Sequence, residues 1–100
     1  MELYINTKDK QVITVSLKKD SEEVDSLTDN NSYGSQVLLP LINKILEKNK
    51  LEYKDIKGIE VETGPGSYTG LKVGVAVANA LGFTLSIPVN NKKVETDLVY

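Results

Sequence analysis

Residues 64–74 read Gly64-Pro65-Gly66-Ser67-Tyr68-Thr69-Gly70-Leu71-Lys72-Val73-Gly74. The residues before them, Ile56–Glu62, alternate so that Ile59 and Val61 point inward, and they read as a strand. The residues after them, from about Thr69 to Leu85, read as a helix. The glycines and the proline therefore form a tight strand-to-helix turn that needs unusual backbone angles, Gly64 or Gly66 being the residue that adopts them. Backbone N–H groups in such a turn can face an anion. The nucleotide-binding fingerprints are nevertheless absent. A GxGxxG match would place its last glycine at Thr69, and Gly70 comes one step late. A Walker motif requires Gly-Lys-Ser/Thr, and no such dipeptide and hydroxyl follow here.

Working outward, Ser35 to about Lys50 is a second helical stretch. Leu38, Leu41, Ile42, Ile45 and Leu46 recur at three- and four-residue steps, and Pro40 fits only near the first turn or at a kink. Upstream lie three strand candidates, Glu2–Asn6, Gln11–Leu17 and Glu22–Thr28, separated by polar turns, which suggests an antiparallel meander. Downstream, Ile87–Val89 is a short strand, and Val94, Thr96, Leu98 and Tyr100 share a face in an alternating tail. The expected class is α/β, with a mixed five-stranded sheet, a three-stranded antiparallel meander and two main helices. The chain of 100 residues reads as one domain with a terminal strand from about residue 93.

Composition narrows the chemistry. The protein is 40% hydrophobic and 26% charged, with a net charge of −2, so broad attraction to nucleic acid or anionic lipid is not expected. It has no cysteine or histidine, which removes disulfides, Cys or His metal ligands, and Ser-His or Cys-His catalytic pairs. All twelve basic residues are lysines, so bidentate guanidinium recognition is also absent. Cysteine usage and the lack of a signal-like start fit a cytoplasmic protein. The apolar stretch Leu71–Ser86 is shorter than the roughly 20 residues a membrane helix needs, so no membrane span is expected.

The 64–74 stretch resembles the signature of the TsaB (YeaZ) family, GPGS[FY]TGLR[IV]G. The resemblance continues through Val75–Phe83 and Ile87–Val89, and Val37–Ile42 is similar to the family's LLPLI helix. It implies an actin-like, RNase H-type fold and a place in making threonylcarbamoyladenosine on ANN-decoding tRNAs. It also implies a non-catalytic subunit that binds a TsaD-like catalytic paralogue, with a TsaE-like ATPase joining, forms a homodimer when alone, and meets tRNA only through the complex. The family motif turn is then Gly64, Pro65, Gly66, Ser67, Tyr68, Thr69 and Gly70. Departures are Asn6-Thr7 in place of the usual Asp-Thr, Lys72 in place of arginine, and a missing second lobe. Asn6 supplies no charge for metal or phosphate, so no enzyme activity, metal or cofactor is expected.

In the second helix, Gly70, Gly74, Ala78 and Gly82 form a stripe of small residues beside Leu71, Val75, Asn79 and Phe83. A helix apolar all round needs cover on both sides. The expectation is a close-approach interface made by Leu38, Leu41, Ile45, Gly70, Leu71, Gly74, Val75 and Ala78. Asn79 either sets register across a helix pair or lies at a rim. Glu60 and Glu62 read as a solvated face rather than paired catalytic acids. Two other readings stay open: an actin-like nucleotide hydrolase or metallopeptidase relative, which ATP–Mg²⁺ turnover would reveal, and a self-associating module without a tRNA role, which recovery of no TsaD-like partner would favour.

Overall fold

The computed structural model describes residues 1–9, 11–30 and 34–96. Three antiparallel strands come first: β1 (Glu2–Asp9), β2 (Val12–Lys19) and β3 (Glu22–Asp29). Helix α1 (Gly34–Lys48) follows, running through Pro40, and then a 3-10 turn at Tyr53–Asp55. Strand β4 (Gly58–Val61) pairs parallel with β1, and helix α2 (Tyr68–Leu85) completes the layer. The sheet order is β3-β2-β1-β4.

Alternation decides which sheet face is covered. Leu3, Ile5 and Thr7 of β1, Ile13, Val15 and Leu17 of β2, and Ile59 and Val61 of β4 all point to the helices and are buried. The opposite face is polar, with Tyr4, Thr14, Ser16, Lys18, Ser26 and Glu60, and it is tied by cross-strand pairs such as Ser16 Oγ to Ser26 Oγ at 3.2 Å. Leu38, Leu41, Ile42, Ile45 and Leu46 of α1 close the core over that sheet. The β2–β3 turn has Asp20 at φ 54° and Ser21 at φ 67°, the sign pattern of a type I′ hairpin.

Among the described residues the sheet has four strands, not the expected five. Val89 makes a single parallel bridge to Ile59. The chain then turns at once, because Asn90 and Asn91 take φ of 51° and 62°, and Val89 and Lys92 exchange backbone hydrogen bonds of 2.7 and 2.9 Å. Residues 93–96 are not strand, and the rest of the expected terminal strand lies outside the described residues.

Asp25 ties β3 to the end of α1. Hydrogen bonds from Asn49 Nδ2 at 2.9 Å and from the Ser26 N–H, with Lys48 alongside, hold its carboxyl below the usual carboxylate range. A depressed folded pKa stabilises the fold above the unfolded value, about 3.9, and that contribution disappears as pH falls through the lower folded value. Acid titration followed by circular dichroism should therefore show the parent losing more stability than Asp25→Asn as the pH falls below about 4.

Candidate functional site

The glycine turn is seated on the end of β1. Ser67 caps α2, its Oγ accepting the Gly70 N–H at 3.3 Å, and its own N–H donates to the Lys8 carbonyl at 2.7 Å. Gly64 has φ 112°, which favours glycine. Gly66 is required for space instead: a Cβ there would lie 2.6 Å from the Lys8 carbonyl oxygen. Glu62 supports the turn from the side, accepting from the Gly64 N–H at 3.2 Å and from Tyr4 Oη at 3.3 Å. Burial and the Glu62 charge raise the Tyr4 pKa, so its phenol stays a donor. Glu60 lies on the exposed face, 3.6 Å from Lys18.

Thr7 is the centre of this junction. It is buried, and its Oγ1 donates to the Gly70 carbonyl at 2.5 Å. A Cβ at Gly70 would overlap the Thr7 carbonyl oxygen, and one at Gly74 would overlap Thr7 Oγ1. Two turns further on, a Cβ at Gly82 would meet Val89 Cγ2 at 2.5 Å. The small-residue stripe is thus where α2 lies closest to its own sheet. The open groove expected along Gly70, Gly74 and Ala78 is closed by the chain itself. Leu38, Leu41, Ile45, Leu71, Val75 and Ala78, expected at an interface, are likewise buried within the chain. Asn6, where the family usually has an acid, uses its Oδ1 to accept the Lys8 N–H at 3.1 Å. Among the described residues no three His, Cys, Asp or Glu side chains gather as metal ligands.

The outward face of α2 lies two residues on from the stripe. Ala76, Val77, Ala80, Leu81 and Thr84 line a groove of about 270 Å³ with Leu39 of α1, which is 42% exposed. Ala76 and Ala80 form its small-residue floor. Tyr68 of the motif turn also faces solvent, with Lys72 Nζ 5.1 Å above its ring. Ala76 and Ala80 lie outside the stripe that the sequence singles out. No local signal locates them, because the contact of the glycines with Thr7 decides which face turns outward.

Asn79 neither sets register across a helix pair nor idles at a rim. Its amide makes a two-pronged pair with the Glu95 backbone, donating to the carbonyl at 2.9 Å and accepting from the N–H at 2.8 Å. Asn90 makes the same kind of pair with Val61, at 2.8 and 3.0 Å, and also donates to Glu95 Oε2. These two asparagines pin the segment after α2 to the helix and to β4.

A family model described as TsaD, tRNA N6-adenosine threonylcarbamoyltransferase, matches residues 7–91. The tRNA threonylcarbamoyladenosine biosynthesis protein TsaB of Bacillus subtilis is 30% identical over 88 residues, 88% of this chain and 38% of that protein. The TsaB of Buchnera aphidicola from Schizaphis graminum is 35% identical over 52 residues, 52% of this chain and 25% of that protein. The structure of YeaZ from Pseudomonas aeruginosa superposes with a TM-score of 0.80 at 25% identity, covering 88% of this chain and 42% of that one. The chain therefore spans about a quarter to two-fifths of the length of these relatives. With the matched region reaching from Thr7, through the motif turn seated on it, to the Asn90–Asn91 turn, the chain belongs to the TsaD family as a TsaB (YeaZ) member.

Proposed function

We propose that this chain is a non-catalytic TsaB-like subunit in tRNA threonylcarbamoyladenosine biosynthesis, and that it docks a TsaD-like catalytic partner through the outer face of α1 and α2. The observation that carries this reading is the apolar groove of Leu39, Ala76, Val77, Ala80, Leu81 and Thr84, left open by a helix pair whose other side is filled by the sheet. Small residues at Ala76 and Ala80 admit a partner helix closely, and the flanking leucines and valine supply apolar walls. The names of the relatives support the pathway and the identity of the partner.

A second copy occupies the same face when the partner is absent, a TsaE-like ATPase joins the assembled pair, and tRNA is met through the complex. The non-catalytic role rests on the absence of histidine and cysteine and on Asn6 in place of an acid. Thr7, the other residue of that motif, is committed to Gly70.

Ala80→Arg should test the interface directly. Ala80 is exposed, so the variant should melt with the parent to within about 0.5 kcal/mol. Co-purification with a TsaD-like protein should fall by about tenfold or more, because a charged side chain would fill the groove floor. Undiminished recovery of the partner by the variant would reject this face. ATP–Mg²⁺ turnover by the purified chain would reject the non-catalytic role.

A further inference from the structure

A second cavity lies away from that groove, between the last turn of α2 and the segment that returns after the Asn90–Asn91 turn. It holds about 520 Å³, within the range of sites that take small ligands or side chains. Its apolar walls are Phe83, Ile87, Pro88 and Val94, and Lys92 and Lys93 stand on its rim. Phe83 is 85% exposed and Val94 49%.

Two features make the cavity more than a surface dent. Its outer wall is fixed before anything binds, because Asn79 grips the Glu95 backbone and Asn90 grips Val61. A wall already in place removes part of the ordering cost of binding. Its charge also runs against that of the molecule: the chain carries −2 overall, yet among the described residues the lining holds two lysines and no acid. Lys92 is partly neutralised, with its Nζ 3.2 Å from the buried Glu95 carboxylate. Lys93 leaves the rim positive.

We propose that this cleft docks a short acidic peptide segment of a partner protein, a bulky apolar side chain packing on Phe83 and Val94 while flanking carboxylates face Lys93. The volume suits one or two side chains, not a domain surface, and the sign of the rim selects the flanks. This docking is independent of the groove between α1 and α2.

The probe is an acetylated, amidated hexapeptide with a leucine–phenylalanine centre and two acidic residues on each side. Titrated into the 100-residue chain and followed by backbone amide NMR shifts, it should bind with a Kd of about 0.1–1 mM and move residues 82–94. Replacing its acids by lysines should weaken binding by about tenfold or more, and replacing its centre by alanines should do the same. Phe83→Ser and Lys93→Glu, both at exposed positions, should each weaken it by about fivefold or more, whereas Ala80→Arg should leave it unchanged. No binding at 1 mM (roughly −4 kcal/mol) would overturn the proposal. So would equal binding of the lysine peptide, or shifts that neither variant reduces. Concentration-dependent self-association abolished by Phe83→Ser would overturn it too, by assigning the cleft to a second copy.

Discussion

Gly70→Val should destabilise the protein more than any substitution on the outer face of α2. Its new Cβ would overlap the carbonyl oxygen of Thr7, a backbone atom of the central strand β1 just past its last pair with β4 and within its register shift against β2. Relief requires moving the whole helix N-terminus, with the loss of the 2.5 Å bond from Thr7 Oγ1 to Gly70 and of the Ser67 cap. Overpacking typically costs about 1–3 kcal/mol and a lost cap about 1 more. For a domain whose total stability is about 5–15 kcal/mol, the combined loss is severe. Gly74→Leu meets Thr7 Oγ1, a side-chain atom, and should cost somewhat less while still lowering the midpoint of urea unfolding. Ala76→Val, on the exposed side of the same helix, is the control and should change stability by less than about 0.5 kcal/mol. If Gly70→Val and Ala76→Val melted alike, the packing of α2 on Thr7 described above would be wrong.

Asn90→Ala is expected to be nearly as damaging, for a different reason. It deletes both bonds to Val61 and the one to Glu95 Oε2, and leaves the Val61 N–H and C=O without that partner. Each buried group so orphaned costs about 1–3 kcal/mol. Alanine also dislikes the positive φ of 51° at this position. Asn90→Gly separates the two causes, since glycine accepts the angle but restores no bond. Chemical denaturation should rank the parent above Asn90→Gly, and Asn90→Gly above Asn90→Ala, with a gap of about 1 kcal/mol between the two variants. Equal stabilities for parent and Asn90→Gly would mean that the side-chain bonds contribute nothing.

These two regions also mark where sequence reading succeeds and where it stops. The meander, both helices and β4 are legible because Ile13, Val15 and Leu17 alternate while Leu38, Leu41, Ile42 and Ile45 step by three and four. The motif turn is legible because glycine and proline punctuate a strand and a helix. The fifth strand misleads: Ile87-Pro88-Val89 is apolar, but the two asparagines after it end the pairing at one bridge. An Asn-Asn pair between an apolar run and two lysines is itself a turn signal.

The orientation of α2 is the harder loss. Four-residue steps divide it into stripes of similar apolarity, and nothing local says which stripe meets the sheet. That choice is made by Thr7, 63 residues from Gly70 in sequence, whose carbonyl and hydroxyl leave room for nothing larger than hydrogen. Small residues were thus placed at the tightest approach inside the domain, and the exposed face of the helix fell to Ala76 and Ala80.

The amide of Asn90 has one more consequence. On the outer side of β4 the main chain of Pro88 and Asn90 bonds to Ile59, and the Asn90 side chain imitates a further peptide unit opposite Val61. Another polypeptide therefore finds no vacant ladder there on which to extend the sheet. At the far margin, β3 carries Glu22, Glu23, Asp25 and Asp29, and its register with β2 shifts between Leu17 and Lys18. Like copies approaching that margin repel, and the irregularity twists it away from flat stacking. A sheet terminated by a false strand on one flank and by negative charge on the other resists growth into fibres, so contacts between molecules fall to the helix layer and not to the strands.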